Sequence, residues 1–378
     1  MKLAENTKTG KMCALKLMKR NSHSHSEYSK IFANEVEALT KVNHPNILKL
    51  IDYSDVNFLA LEYAENGELL EYIAETGSFS EINARYFFHQ LISAIEHMNE
   101  MGLAHRDIKP DNIMLDSEFN LKLADFGFAT ENEISYNMKG TLSYMAPELL
   151  VNIPYQTKEV DLFAATVLLF MMITQRFPFE KADPDDEYYS YIIMKDWKKF
   201  WSRHSNEIDS SIEISDEFKD LFSKMVTVNP LERLCLKEIK LHPWYKGEIP
   251  TKQEVFENFS FRKLVKSGKM NVTDMPSESK TKDSSKNSHS SSEEKADSQD
   301  EEVIDNMSKI YTKYFSCKNS DKLVKQIATF AKSKKISFKV CREYYRVMLQ
   351  VKNMDERTVI QINVLRKPKS NQRCLECI

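Results

Sequence analysis

Cysteine is scarce in this chain of 378 residues. The six present, Cys13, Cys235, Cys317, Cys341, Cys374 and Cys377, are too scattered to frame a small disulfide-stapled fold. They suit a reducing compartment, and the lone CxxC of Cys374 and Cys377 has no second pair beside it, so it reads as structural rather than zinc-binding or redox-active. The N-terminal stretch MKLAENTKTGK lacks the apolar core of a signal peptide. No hydrophobic run is long enough for a bilayer: the longest, LFAATVLLFMMI at 162–173, reads as a buried helix. These absences predict a soluble, cytoplasmic chain, with nuclear entry left open.

What is present allows a large core. Hydrophobic residues make up 42% and charged residues 29%, enough for two or three domains. The formal net charge of −3 hides an uneven distribution. Residues 303–378 hold seventeen Lys and Arg against six Asp and Glu, an excess of eleven, which leaves −14 on the first 302. Composition divides the chain as well. Residues 1–268 are rich in Leu, Phe and Tyr. From 269 to 302 (KMNVTDMPSESKTKDSSKNSHSSSEEKADSQDEE) aromatics vanish and Ser, Lys, Asp and Glu dominate. Such a stretch buries too little surface to offset chain entropy and reads as a disordered linker. Apolar periodicity returns at 303.

Within the first region CALKLMK (13–19) reads as a strand entered through a turn at TKTGK (7–11). YSKIFANEVEALTKV (28–42) has helical spacing at Ile31, Val36 and Leu39. ILKLIDYS (47–54) and NFLALEYA (57–64) read as two more strands. From SEINARYFFHQLISAIEHMNEMG (80–102) onward long helices dominate, with Gly102 a helix stop. The order predicts a small strand-rich lobe followed by a larger helical one.

The densest chemistry lies in HRDIKPDN (105–112), whose ionisable groups no core would bury unpaired. A carboxylate such as Asp107 suits a hydroxyl nucleophile, as proton acceptor or as orienting group. Phosphoryl transfer gathers negative charge, so the ammonium of Lys109 belongs nearby. The neutral amide of Asn112 supplies a hard oxygen to a magnesium–nucleotide complex. Farther on, LKLADFGFA (121–129) reads as a strand running into a Gly turn, which places Asp125 as a second oxygen ligand. HRD alone would fit a solvated polar loop; H-R-D-x-K-P-x-N followed by D-F-G at this spacing does not.

With these motifs the sequence resembles a eukaryotic Ser/Thr protein kinase over about 1–247, in the calcium/calmodulin-dependent and sucrose-non-fermenting-related group. The resemblance implies an α+β, bilobal protein kinase fold, ATP and Mg2+ as cofactors, protein substrates, a monomer and no nucleic-acid partner. It implies that Asp107 is the catalytic base, that Lys109 contacts the transferred phosphoryl group, and that Asn112 and Asp125 are metal ligands. Lys109 together with Thr141 in GTLSYMAPE marks the Ser/Thr branch. CALK makes Lys16 the holder of the α- and β-phosphates, paired with Glu35; the rival Glu37 lies two positions round the helix and points elsewhere. In LALEYAENGEL, Leu61 would sit behind the adenine and the backbone of Glu62 and Ala64 would hydrogen-bond its edge. Glu68 would lie near the ribose and could receive a basic substrate side chain. As structural pairs, Glu148 of APE should meet Arg233 of NPLERL, and Asp161 should hold the backbone of the HRD loop.

The sequence also departs from that family. A Gly-rich loop, G-x-G-x-x-G-x-V, normally covers the phosphates, and here Met1 falls where its valine would stand. The missing donors form charge-assisted hydrogen bonds of roughly 1.5–3 kcal/mol each. Either the sequence is N-terminally incomplete, which the intact downstream residues favour, or a shortened protein serves as a weakly active kinase-fold scaffold. Asn137 stands where Arg106 would meet a phosphothreonine, with Ser135 and Tyr136 the nearest hydroxyls. Activation by the usual loop phosphorylation is therefore not expected. Thr166 replaces the usual Gly in DLFAAT, a packing adjustment.

The tail reads as a helix at 321–333 (DKLVKQIATFAKS) and strands in ISFKVCREYYRVMLQV, TVIQINVLRK and RCLECI. This order resembles the C-terminal regulatory domain of sucrose-non-fermenting-related kinases and the kinase-associated-1 fold. Such domains continue beyond this point, so truncation is expected at this end too. The expected division is a kinase domain at 1–247, its C-terminal extension at 248–268, the linker at 269–302, and a small basic α+β regulatory-like domain at 303–378. Its charge fits a solvated face, docking onto the acidic kinase body through the flexible linker, or an anionic membrane at up to about 1 kcal/mol per Lys or Arg. No recognised nucleic-acid module accompanies it.

Overall fold

The computed structural model describes residues 1–17, 25–54, 58–150, 154–210, 212–271 and five strands between 312 and 377. The chain divides into two compact units, Met1–Lys280 and Thr281–Ile378.

The first unit opens with β1 (Lys2–Glu5), β2 (Met12–Leu17), α1 (His25–Lys41), β3 (Leu50–Ser54) and β4 (Phe58–Glu62). The strands form an antiparallel sheet in the order β1-β2-β4-β3. Asn6 shapes the β1–β2 turn, its Oδ1 accepting the N–H groups of Lys8 and Thr9 at 3.0 and 3.2 Å, a local side-chain bond typical of tight turns. Strand β3 begins three residues later than the run ILKLIDYS suggests. Ile47 and Leu48 turn instead toward the large lobe, where the Leu48 N–H donates to the Leu123 carbonyl at 2.9 Å and the Leu123 N–H to the Asn46 carbonyl at 2.8 Å. A buried apolar run does not reveal which backbone it will pair with.

The large lobe continues through β5 (Gly67–Glu68), α2 (Leu69–Thr76), α3 (Glu81–Glu100), β6 (Ile113–Leu115), β7 (Leu121–Leu123), β8 (Ile134–Ser135), α4 (Pro147–Leu150), β9 (Tyr155–Gln156) and α5 (Thr157–Thr174). It closes with α6 (Glu187–Ile193), α7 (Trp197–Ser205), α8 (Asp216–Met225), α9 (Leu236–Leu241) and α10 (Lys252–Lys266). Helix α5 carries the longest apolar run and is buried on every face from Val160 to Thr174, as an all-round hydrophobic helix must be. Thr166 is tolerated there because its hydroxyl donates to the Leu162 carbonyl at 2.8 Å, one turn back. Around Phe170 pack the rings of Phe200, Trp201, Phe218 and Phe222, which anchor α7 and α8 to α5. The hairpin β6–β7 and the short β5 form a three-stranded sheet on which the catalytic-type loops are mounted.

The second unit is a five-stranded antiparallel sheet in the order β10-β14-β13-β12-β11, built from β10 (Thr312–Ser316), β11 (Ser337–Cys341), β12 (Arg346–Lys352), β13 (Arg357–Arg366) and β14 (Arg373–Cys377). Four of these strands fall largely within the three stretches the sequence marks, β11 and β12 sharing the first of them. The fifth, β10, pairs Thr312 with Cys377, a partner too distant in the chain for any local pattern to show. The helix expected at 321–333 and the linker from 272 lie outside the described residues.

Candidate active site

Strand β2 carries Lys16, whose side chain is 32% exposed, and helix α1 brings the buried Glu35 to meet it. Lys16 Nζ donates to Glu35 Oε2 at 2.7 Å and to Asp125 Oδ1 at 2.9 Å. One ammonium thus ties the sheet, the helix and the DFG turn together. Burial works against the Lys16 charge, but Glu35 and Asp125 outweigh it and hold its pKa above the ordinary lysine value. The same ammonium, against the opposing effect of burial, holds the Asp125 carboxyl below the usual carboxylate range, helped by His105 and the Gly127 N–H. Glu37, by contrast, is exposed and pairs with Lys41 one turn along its own helix at 2.9 Å.

The DFG turn is pressed onto α1. The Asn34 amide donates to the carbonyls of Ala129, Gly127 and Phe126 at 2.8, 3.1 and 3.3 Å. Gly127 permits this close approach: a Cβ would lie 2.7 Å from Ile31 Cγ2, so the turn or Ile31 would have to shift. Asp125 takes a left-handed backbone conformation (φ 62°, ψ 74°), and the buried Phe126 ring packs edge-on against His105 at 4.8 Å. Strain of this kind at a polar residue is typical of functional loops.

His105 is wholly buried, and burial holds its pKa below the ordinary value. The Asp107 N–H donates to Nδ1 at 3.3 Å and Nε2 lies 3.0 Å from the Ala124 carbonyl, so the ring is neutral with its proton on Nε2. Asp161, fully buried at the start of α5, accepts the N–H groups of His105 and Arg106, both at 2.7 Å. Burial lifts its pKa to about 7 even against these two donors. The loop between them is thereby fixed before any substrate arrives.

Asp107 sits at the centre of this loop. Thr141 donates its hydroxyl to Asp107 Oδ1 at 3.0 Å, and Lys109 Nζ lies 3.0 Å from Oδ2 and 2.8 Å from Thr141 Oγ1. Asn112 gives both amide hydrogens to Asp107, to its carbonyl at 2.8 Å and to Oδ2 at 3.0 Å. The Asn112 Oδ1 accepts no hydrogen bond among the described residues, and the Ala124 N–H donates to the Asn112 carbonyl at 2.8 Å, which docks the DFG strand beside it. Asn112 Oδ1 and the half-exposed Asp125 carboxylate are the hard oxygens a small divalent cation prefers. The described residues contain no cluster of three or more His, Cys, Asp or Glu that could hold a metal unaided. A cation here would need further oxygens, from water or a bound ligand, to complete its shell.

At the segment joining the lobes, Leu61 is buried opposite Ala14 and Leu50. The Glu62 N–H is taken by the Lys49 carbonyl at 2.8 Å, so the expectation that its backbone serves a ligand narrows to its carbonyl. Its side chain is tied to Lys122 at 2.7 Å. Ala64 is buried, its carbonyl accepting the Gly67 N–H at 3.3 Å. Glu68 caps α2 without a side-chain cap bond, and burial together with Glu71 and Asp111 raises its carboxyl pKa.

The two structural pairs form as expected: Arg233 binds Glu148 through two parallel bonds of 2.6 and 2.7 Å, in addition to the Asp161 contacts above. The activation segment holds residues that sequence motifs do not name. Arg106 donates to Ser135 Oγ at 3.1 Å, β8 pairs with β9, and the Tyr155 hydroxyl donates to the Asn137 carbonyl at 2.7 Å. Ser135 is one of the two hydroxyls the sequence places nearest Arg106, whereas Asn34 was missed because its contacts cross 92 to 95 positions of chain. The available signal for Asn34 was its position beside Glu35.

A sequence profile described as "Protein kinase domain" matches residues 1–245. The chain is 35% identical over 263 residues to "Serine/threonine-protein kinase GIN4" of Saccharomyces cerevisiae, covering 64% of this chain and 22% of that one. It is 32% identical over 256 residues to "Carbon catabolite-derepressing protein kinase" of Candida tropicalis, covering 66% and 39%. It is 31% identical over 256 residues to "Serine/threonine protein kinase OSK3" of Oryza sativa subsp. indica, covering 66% and 48%. The matches therefore span less than half the length of these relatives.

Proposed function

Since this chain belongs to the protein kinase family through residues 1–245, we propose that it transfers the γ-phosphate of ATP to Ser and Thr hydroxyls of proteins. One observation carries the reading: Lys16 joins Glu35 and Asp125 at once, the arrangement a phosphate-binding ammonium needs in order to face a nucleotide between the lobes.

In this reading 1–247 is the catalytic domain. Leu61 backs the adenine, the Glu62 carbonyl and the Ala64 backbone bind its edge, and Glu68 lies by the ribose. Lys16 meets the α- and β-phosphates. Asp107 orients the acceptor hydroxyl and takes its proton as the oxygen–phosphorus bond forms and the bond to the β-phosphate oxygen breaks, releasing ADP. Lys109 stabilises the charge on the transferred group, and Thr141 holds Asp107 and Lys109 in register. Asn112 Oδ1 and the Asp125 carboxylate would hold Mg2+, which supplies Lewis-acid neutralisation of the phosphate oxygens. The Ser135 hydroxyl on Arg106 supports an activation segment ordered without a phosphothreonine.

ADP release with a Ser/Thr peptide library tests this. Asp107→Ala should abolish turnover by at least about a hundredfold while the thermal midpoint is kept. Turnover retained in that variant overturns the assignment. For 303–378, the excess of eleven positive charges supports attachment to an anionic membrane in the cytoplasm. Co-sedimentation with phosphatidylserine vesicles should fall steeply with salt, and absence of binding at low salt would remove this part of the reading.

A further inference from the structure

Helix α10 begins after residue 245, where the family match ends, yet it is built into the large lobe. Val255 and Phe259 are fully buried, and the Phe259 ring meets Phe87 at 4.8 Å, Phe79 at 5.1 Å and Tyr72 at 5.8 Å. From this anchor the helix grips both ends of α2. At the C-terminal end Arg262, itself 3% exposed, donates to Thr76 Oγ1 at 2.8 Å and to the carbonyls of Ser78, Thr76 and Gly77 at 2.9, 3.2 and 3.2 Å. The Thr76 and Gly77 carbonyls are among those a helix end leaves without intrahelical partners, and Ser78 follows just beyond it.

At the N-terminal end the contacts reach the segment between the lobes. Lys263 Nζ donates to Asn66 Oδ1 at 2.5 Å. Lys266 Nζ donates to Glu71 Oε2 at 2.6 Å, lies 3.4 Å from the Asn66 carbonyl, and sits 4.6 Å from the centre of the Tyr72 ring. Asn66 is buried, its remaining donors going to the Asp116 and Leu115 carbonyls at 2.7 and 3.0 Å. It stands two residues after Ala64. The bond closing the turn 64–67, from the Gly67 N–H to the Ala64 carbonyl, is long at 3.3 Å, and Gly67 pairs with Leu115 in the three-stranded sheet. The position of the turn is set from outside, by α10 on one side and the 115–116 backbone on the other.

We propose that α10 is a splint for the adenine-binding segment, with Lys263 and Lys266 as positioning residues that make nucleotide affinity depend on a helix beyond the matched kinase domain. This rests on the reading of 62–64 as the adenine edge. Loosening the two lysines lets the turn 64–67 move, and Ala64 with it, while Lys16, Asp107 and Lys109 stay in place. The defect therefore falls on nucleotide binding and spares the chemical step. Any partner that drew α10 away would weaken nucleotide binding in the same manner.

The test titrates N-methylanthraniloyl-ADP with magnesium into the full chain. Lys263→Ala with Lys266→Ala should weaken binding about five- to tenfold, the range of a modest coupling between separated sites, and raise KM for ATP with kcat and the thermal midpoint kept. Lys266→Glu should weaken binding, and Glu71→Lys added to it should restore binding by rebuilding the ion pair in reverse. Phe259→Ala keeps both lysines but removes packing and serves as the stability control. Unchanged affinity in the double alanine variant overturns the proposal, as does a loss that tracks the thermal midpoint as in Phe259→Ala. A parent chain that binds no nucleotide overturns the kinase reading itself, a result distinct from either.

Discussion

Gly140→Ala offers a direct test of how the activation segment serves Asp107. Gly140 has φ +111°, a conformation L residues rarely adopt, and an added Cβ would lie 2.5 Å from the Arg106 carbonyl oxygen and 3.5 Å from Asp107 Oδ1. The Arg106 backbone cannot retreat, because Asp161 holds its N–H at 2.7 Å from inside the large lobe. The segment 139–141 must yield instead, by about 0.9 Å to regain ordinary contact at 3.4 Å. Thr141 is the next residue, and its bonds of 3.0 Å to Asp107 and 2.8 Å from Lys109 would not survive such a shift. A misplacement near 1 Å costs about a hundredfold in rate, equivalent to ~2.7 kcal/mol of transition-state stabilisation. The backbone strain adds about 1–3 kcal/mol of destabilisation, which in a domain of this size lowers Tm by roughly 2–10 °C. Steady-state peptide phosphorylation with ATP varied should show kcat reduced and KM for ATP little changed, since Lys16 and the segment joining the lobes are untouched. A folded variant with the parent kcat refutes the reasoning, because Thr141 would then be irrelevant to the alignment of Asp107.

Other perturbations separate the remaining contacts. Glu35→Gln weakens a charged hydrogen bond worth about 1.5–3 kcal/mol, so kcat/KM should drop roughly ten- to a hundredfold, whereas Glu37→Gln should leave it unchanged; equal effects would undo the pairing argument. Arg233→Met leaves the Glu148 carboxylate buried and unpaired, a loss of about 3–5 kcal/mol by urea unfolding. Adding Glu148→Leu should recover most of that loss, and a double variant no better than the single one speaks against burial as the cause. Asp161 titrates at about 7 in the folded chain against an ordinary 3.8, so between these values the folded state keeps a proton that the unfolded chain has released. Its contribution to stability is whole below the lower value and is lost as pH rises through the upper one. The Tm difference between the parent and Asp161→Asn should fall across that window, and a flat difference contradicts the raised pKa.

Much of this site is legible in the linear chain because its groups sit in short loops. Asp107, Lys109 and Asn112 lie within six residues, and a short loop between α3 and β6 can hardly avoid gathering them. The choice of Glu35 over Glu37 comes from the family resemblance, which fixes the matching position; helical period adds only that a residue two places on faces another way. The apolar run at 162–173 announces a buried helix. Strand ends are less legible: ILKLIDYS looks uniform, yet Ile47 and Leu48 leave the small sheet for Leu123.

The sequence by itself determined which reactive groups the chain carries, the local turns that present them and the order of the lobes, since these depend on neighbours only a few bonds away. Tertiary structure alone decided that Asn34 would hold the DFG turn, that Arg106 would meet Ser135, that Gly140 must lack a side chain, and that Lys263 would reach Asn66 across 197 positions. The physical reason is range. A hydrogen bond acts over about 3 Å whatever the separation along the chain, and only the packing of the whole core settles which distant groups come that close.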